Sequence, residues 1–154
     1  MFRVLFKPVT AAIVMATGLI GCASSPPRQF TQSASEFTPC SSAPHCVSSQ
    51  AASDSPRYVA PLAFHTSVER AHRALVAVLS EPENATIETA EDGFLHATFR
   101  TTVGFVDDVT CIVQPEKRII DIKSSSRIGY YDLGANRRRV EALRVRFQAR
   151  LNQA

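Results

Sequence analysis

The stretch FVDDVTCIVQPEKRIIDIKSSSR, residues 105–127, decides the fold. Apolar and polar side chains alternate on both sides of Pro115-Glu116, the pattern of two strands joined by a turn. Proline at the front of the turn pre-sets its backbone. If Gln114 faces Lys117, then Cys111 opposes Ile120 and Val109 opposes Ile122. Those four form one apolar face, because side chains in a strand alternate with period two. The next pair on that face is Asp107 with Ser124, and Ser126 continues the line. The inward face therefore turns polar at one end. On the other face, Asp108 opposes Lys123 and Thr110 opposes Asp121, a solvated cross-strand pattern.

An inward carboxylate must be paired, hydrogen-bonded or protonated, since burying it bare is costly. Arg127 is the basic residue nearest in sequence, and the serines supply further donors. Beyond them, Tyr130-Tyr131-Asp132-Leu133-Gly134 leads into a helix over about 135–152, with Val140, Leu143, Phe147 and Leu151 as its buried stripe. Asp132 or Asn136 can cap that helix. Arg137, Arg138 and Arg139 stand at its start, where cations oppose the helix dipole at about a few tenths of a kcal/mol each. A bound anion would account for them, as would acids or carbonyls of the fold itself. The candidate binding residues are thus Asp107, Ser124, Ser126, Arg127, Asp132, Asn136 and Arg139.

Upstream, Phe94–Thr101 alternates with Leu95, Ala97 and Phe99 on one face, and Ala85–Ala90 pairs with it across Glu91-Asp92-Gly93. A helix runs from Thr66, with Glu69 at capping-box spacing, to the stop at Pro82. Val68, Ala71, Leu75 and Leu79 recur on it at helical period. The expected fold is α+β: a four-stranded antiparallel sheet packed by two helices on one face.

The first residues read differently. Arg3 and Lys7 precede an apolar run, Val9–Ile20, of signal-peptide length and short for a membrane span. It ends in Leu19-Ile20-Gly21-Cys22, which resembles a bacterial lipobox. That resemblance implies cleavage before Cys22, acylation of Cys22 with palmitate-like chains, and anchorage in the envelope. Ala23 after the cysteine implies the outer membrane, facing the periplasm. The organisation is then a lipoprotein signal peptide over 1–21, a flexible tether over 22–38, and one globular domain over 39–154. Ten serines and five prolines in residues 23–56 bury little surface.

Cys40, Cys46 and Cys111 remain, and an oxidising periplasm permits one bridge. Three pairings exist. Cys40–Cys46 closes a short Ser/Pro loop, and Cys111 sits in a strand pattern as a small apolar group.

A net charge of +3 does not suggest a nucleic-acid partner. Charge is uneven, with ten Lys/Arg against three Asp/Glu over 117–150 and five against eleven over 23–116. A basic face could lie against acidic lipid phosphates or cover the acidic half of the fold. No metal-ligand spacing, P-loop, nucleophile elbow or nucleotide fingerprint is present, so no metal or cofactor is expected.

The segments Pro44-His45-Cys46-Val47-Ser48-Ser49, Tyr58-Val59-Ala60-Pro61-Leu62, Phe105-Val106-Asp107-Asp108-Val109 and the long run from Ser124 to Arg139 together resemble the domain of unknown function 1499 family. The likeness spans roughly Pro39 to Leu151. His45 stands where asparagine is expected and Lys123 where arginine is. The resemblance implies an envelope protein with no assigned reaction. The functional expectation is a non-enzymatic lipoprotein that binds a small anion, a lipid head group or an envelope partner. The alternatives are a hydrolase using Asp107 as base or Cys46 as nucleophile, and a structural assembly lipoprotein with no ligand.

Overall fold

The structure is a computed structural model and describes residues 35–91 and 93–153. The signal peptide, Cys22 and most of the tether lie outside the described residues.

Eight elements follow in order. They are β1 (Cys46–Ser48), β2 (Leu62–Ala63), α1 (Val68–Ser80), β3 (Ala85–Glu91), β4 (Phe94–Arg100), β5 (Val106–Gln114), β6 (Ile119–Ser126) and α2 (Ala135–Asn152). The strands form one sheet in the order β1-β6-β5-β4-β3, with β2 also pairing β6. Every pairing between named strands is antiparallel. The class is α+β, and the expected four strands become six. The two additions are three and two residues long. Runs that short show no period-two signal, and β1 lies in Ser/Pro-rich sequence.

The β5–β6 register differs from the expected one by two residues. Gln114 faces Ile119 and Cys111 faces Ile122. A two-residue hairpin favours a turn with positive φ in its first central residue. Proline is locked near −65° and cannot adopt it. The connection therefore takes four residues, Pro115–Arg118, with Arg118 at φ 51°. Lys117 and Arg118 donate backbone N–H groups to Gln114 and Pro115. A shift of two leaves every side chain on its predicted face, so Asp107 still points inward, opposite Ser126.

The inward face packs on both helices. Leu95, Ala97 and Phe99 of β4, Val109, Cys111 and Val113 of β5, and Ile120 and Ile122 of β6 are buried there. Ala71, Leu75, Val78 and Leu79 of α1 meet them, with Val140, Leu143 and Phe147 of α2. Val59, Leu62 and Phe64, from the connection leading into α1, close the core's edge. Helix α1 begins one residue later than expected. Ser67 is the cap, and its Oγ accepts from Arg70 N at 3.3 Å. The helix ends before Pro82, which has no backbone N–H to continue the helical ladder. No helix among the described residues is long and apolar enough to cross a membrane.

Candidate functional site

Asp107 and Asp108 are neighbours on β5, so alternation sends them to opposite faces of the sheet. Both are buried, Asp107 2% exposed and Asp108 3%. Each has its own cation.

On the inward face, Arg139 reaches back from the second turn of α2 and places Nη2 2.5 Å from Asp107 Oδ2. Its Nη1 donates to Asn136 Oδ1 at 2.7 Å and to Ser124 Oγ at 3.2 Å. Its Cζ lies 4.9 Å from the centre of the Phe99 ring, in cation–π contact. Asn136 is fully buried. Its amide donates to His45 O at 2.9 Å, Ser126 Oγ at 3.0 Å and Asp132 Oδ2 at 2.8 Å. Its Oδ1 accepts from Ser124 Oγ at 2.6 Å.

Asp132 in turn caps α2, accepting from Gly134 N at 2.9 Å and Asn136 N at 2.8 Å. Gly134 is the residue before the helix and sits at φ 78°, a conformation costly for a side chain with Cβ. Burial pushes the Asp132 carboxyl up, but the N–H donors of Asn136 and Gly134 overcome it, and its pKa lies below the ordinary value.

Arg127 does not join this cluster. It was the expected partner of Asp107 because it is nearest in sequence. Ser126 faces inward opposite Asp107, so the next residue along the chain points outward. Arg127 therefore lies with Asp108, giving Nε to Oδ2 at 2.9 Å and Nη2 to Oδ1 at 2.8 Å. His96 of β4 adds Nε2 at 2.8 Å from Asp108 Oδ1.

Asp108 is thus no solvated partner of Lys123; it opposes Ser125, and Lys123 opposes Thr110. Burial penalises the Asp108 charge, and the bonds from His96 and Arg127 outweigh that penalty, leaving its pKa lowered. Lys123 is turned down by burial, partly offset by Asp108, and donates Nζ to Thr38 O at 2.7 Å. His96 was not anticipated as part of any site. The signal was present: Leu95 and Ala97 inward put His96 on the Asp108 face.

The sign of the Asp108 shift fixes a pH dependence. A carboxyl lowered in the folded state contributes stability above its unfolded pKa, about 3.9, and loses it as pH falls through the folded value. Asp132 acts in the same direction. Asp108→Asn is expected to lower stability at pH 7 and to flatten the acid limb of a stability–pH curve between about pH 5 and 2. Urea midpoints across that range measure it, and an unchanged slope would contradict the role given to Asp108.

The remaining arginines at the start of α2 also have protein acceptors. Arg137 donates to Tyr58 O at 2.9 Å and Pro56 O at 2.6 Å, and Arg138 to Leu133 O at 2.7 Å. Further along the helix, Arg144 holds Pro61 O and Ala60 O, and Arg150 pairs with Glu81 at 2.8 Å. A cleft of about 290 Å³ lies beside this start, lined in part by Pro44, Val47, Arg57, Tyr131 and Arg137. Cys40 and Cys46 form a disulfide. Cys111 is a free thiol in the core, pushed up first by burial and then by the Asp121 charge. No group of His, Cys, Asp and Glu among the described residues is arranged to hold a metal ion.

Cys46 is bonded to Cys40, so its sulfur is not a free thiolate nucleophile. Asp107 is buried against the Arg139 guanidinium. What the two ion pairs do is fix the β6–α2 connection from both sides of the sheet.

No curated protein and no solved structure matches the chain. A family model described as a protein of unknown function, DUF1499, matches residues 36–147, a span that takes in the disulfide, Asp107, Asp108 and most of α2. The chain belongs to the DUF1499 family.

Proposed function

We propose that this is a lipid-anchored protein of the bacterial envelope that works by presenting a binding surface and not by catalysis. One observation carries the reading: Asp107 and Asp108, two of the three buried acids among the described residues, hold the two ends of the β6–α2 connection through Arg139 and Arg127, and large apolar side chains stand exposed on the outside of that connection. The charged groups of this end are paired with one another, and the tips of the connection are apolar.

The small-anion version of the reading loses support, because Arg137, Arg138 and Arg139 are occupied by carbonyls and by Asp107. A partner with an extended surface fits better. The Cys40–Cys46 bridge suits an oxidising compartment such as the periplasm. The Leu19-Ile20-Gly21-Cys22 run supplies the anchor, and Ala23 favours the outer membrane.

The anchor is tested by intact mass of the chain recovered from envelopes. Wild type is expected to start at Cys22 with a diacylglycerol thioether and an N-acyl chain. Cys22→Ser is expected to carry neither and to keep its leader. Acyl chains on Cys22→Ser would end this reading.

A further inference from the structure

The exposed apolar residues are not scattered. Seven large hydrophobic side chains stand exposed among the described residues, and six of them lie in two connections: Val103 and Phe105 after β4, and Ile128, Tyr130, Tyr131 and Leu133 after β6. Their exposures run from 47% for Phe105 to 77% for Val103. Asp107 pairs with Ser126, and Arg127 N donates to Val106 O at 3.0 Å, so both connections leave the same end of the sheet. Scattered apolar residues need no explanation, but a contiguous group marks an interaction site.

We propose that this end of the domain, residues 101–105 with 127–134, docks on the bilayer to which the chain is anchored. The proposal rests on the lipid-anchor reading above and names the surface that is bound. Charge supports a bilayer. The two segments hold one cation and one anion, Arg127 and Asp132, and both are engaged within the domain, by Asp108 and by the start of α2. No outward carboxylate in either segment would have to be desolvated. Arg100, exposed, flanks the first segment and matches the phosphates of acidic lipids. Exposed Glu83 precedes β3 at this end and belongs to neither segment. Tyr130 and Tyr131 carry an apolar ring with a polar tip, the side chain suited to a membrane–water boundary.

Size argues against a second copy of the chain. A stable dimer engages roughly 20–30 residues a side, and these two segments offer five and eight. Reach also permits the geometry. The described chain begins at Ser35, whose carbonyl accepts from Gln114 Nε2 at the opposite end of β5. The 13 residue steps from Cys22 to Ser35 can span at most roughly 45 Å. The nine residues of β5 cover about 30 Å. A lipid on Cys22 and the loop end can therefore meet one bilayer. Since the acyl chains already hold the protein, the patch has only to set its orientation.

The sequence has no tryptophan, which makes the test direct. The full chain carrying Tyr130→Trp is placed in phosphatidylethanolamine–phosphatidylglycerol vesicles with brominated acyl chains. Val145→Trp, on an exposed position of α2, serves as the comparison. Bromine is expected to quench Tyr130→Trp several-fold more than Val145→Trp, with a blue shift that is lost in detergent. Equal quenching overturns the proposal. So does a blue shift of Tyr130→Trp without bromine quenching, which would mean a second copy or another protein covers the patch. The mass of Cys22 is read on the same vesicle-bound sample. Quenching without acyl chains removes the anchor and leaves the docking surface. Acyl chains without quenching remove the docking surface alone.

Discussion

Arg139→Ala is expected to destabilise the domain by about 3–5 kcal/mol, the usual cost of stripping one partner from a buried ion pair. The substitution leaves Asp107 inside the protein, 2% exposed, with its cation gone. It also removes the donors to Asn136 and Ser124 and the contact over Phe99. Urea unfolding followed by far-ultraviolet circular dichroism measures the loss. A cost below about 1 kcal/mol, the range of an exposed pair, would show that Asp107 is not buried as described. The control is the double substitution Asp107→Leu with Arg139→Met. Removing both charges together is expected to recover most of the stability, because apolar groups of similar volume commonly replace a buried ion pair without loss.

The second large effect belongs to a neutral residue. Asn136→Ala is expected to cost about 3 kcal/mol, since an unsatisfied buried polar group costs roughly 1–3 kcal/mol and several are created at once. The His45 carbonyl and the hydroxyls of Ser124 and Ser126 each lose a partner, and Arg139 loses an acceptor. Asn136 itself is wholly shielded, so water does not stand in for the amide. The two substitutions touch one network, and their effects are expected to fall short of additivity by about 1 kcal/mol or more. Full additivity in the same urea experiment would mean that Asn136 and Arg139 act separately.

Much of this arrangement was legible in the chain, and the errors have physical causes. Alternation along Val106–Gln114 and Ile119–Ser126 set which face each side chain takes, and the two-residue register shift preserved it because the pleat repeats every two residues. The inward aim of Asp107 followed from that rule alone. Its partner did not. Arg127 is closer in sequence, but parity turns it outward, while Arg139 returns from a helix 32 positions away. That separation depends on how α2 lies on the sheet, which no local pattern encodes.

Strand β1 was hidden for a related reason. It is held by pairing with Ser124 and Ser125 of β6 and by the disulfide, not by its own composition. The arginines at the start of α2 looked like a costly violation of dipole preference. Their acceptors, the carbonyls of Pro56, Tyr58 and Leu133, belong to the backbone and leave no trace in the side-chain sequence.

The bridge between Cys40 and Cys46 has a mechanical consequence. A pull on the chain from its N-terminal side would otherwise peel residues 41–45 away before reaching the sheet. With the sulfurs joined, the force bypasses that loop and enters the fold at the first residue of β1, where the edge strand is zipped to β6. Tension is delivered to hydrogen-bonded structure, and slack in the loop cannot be drawn out.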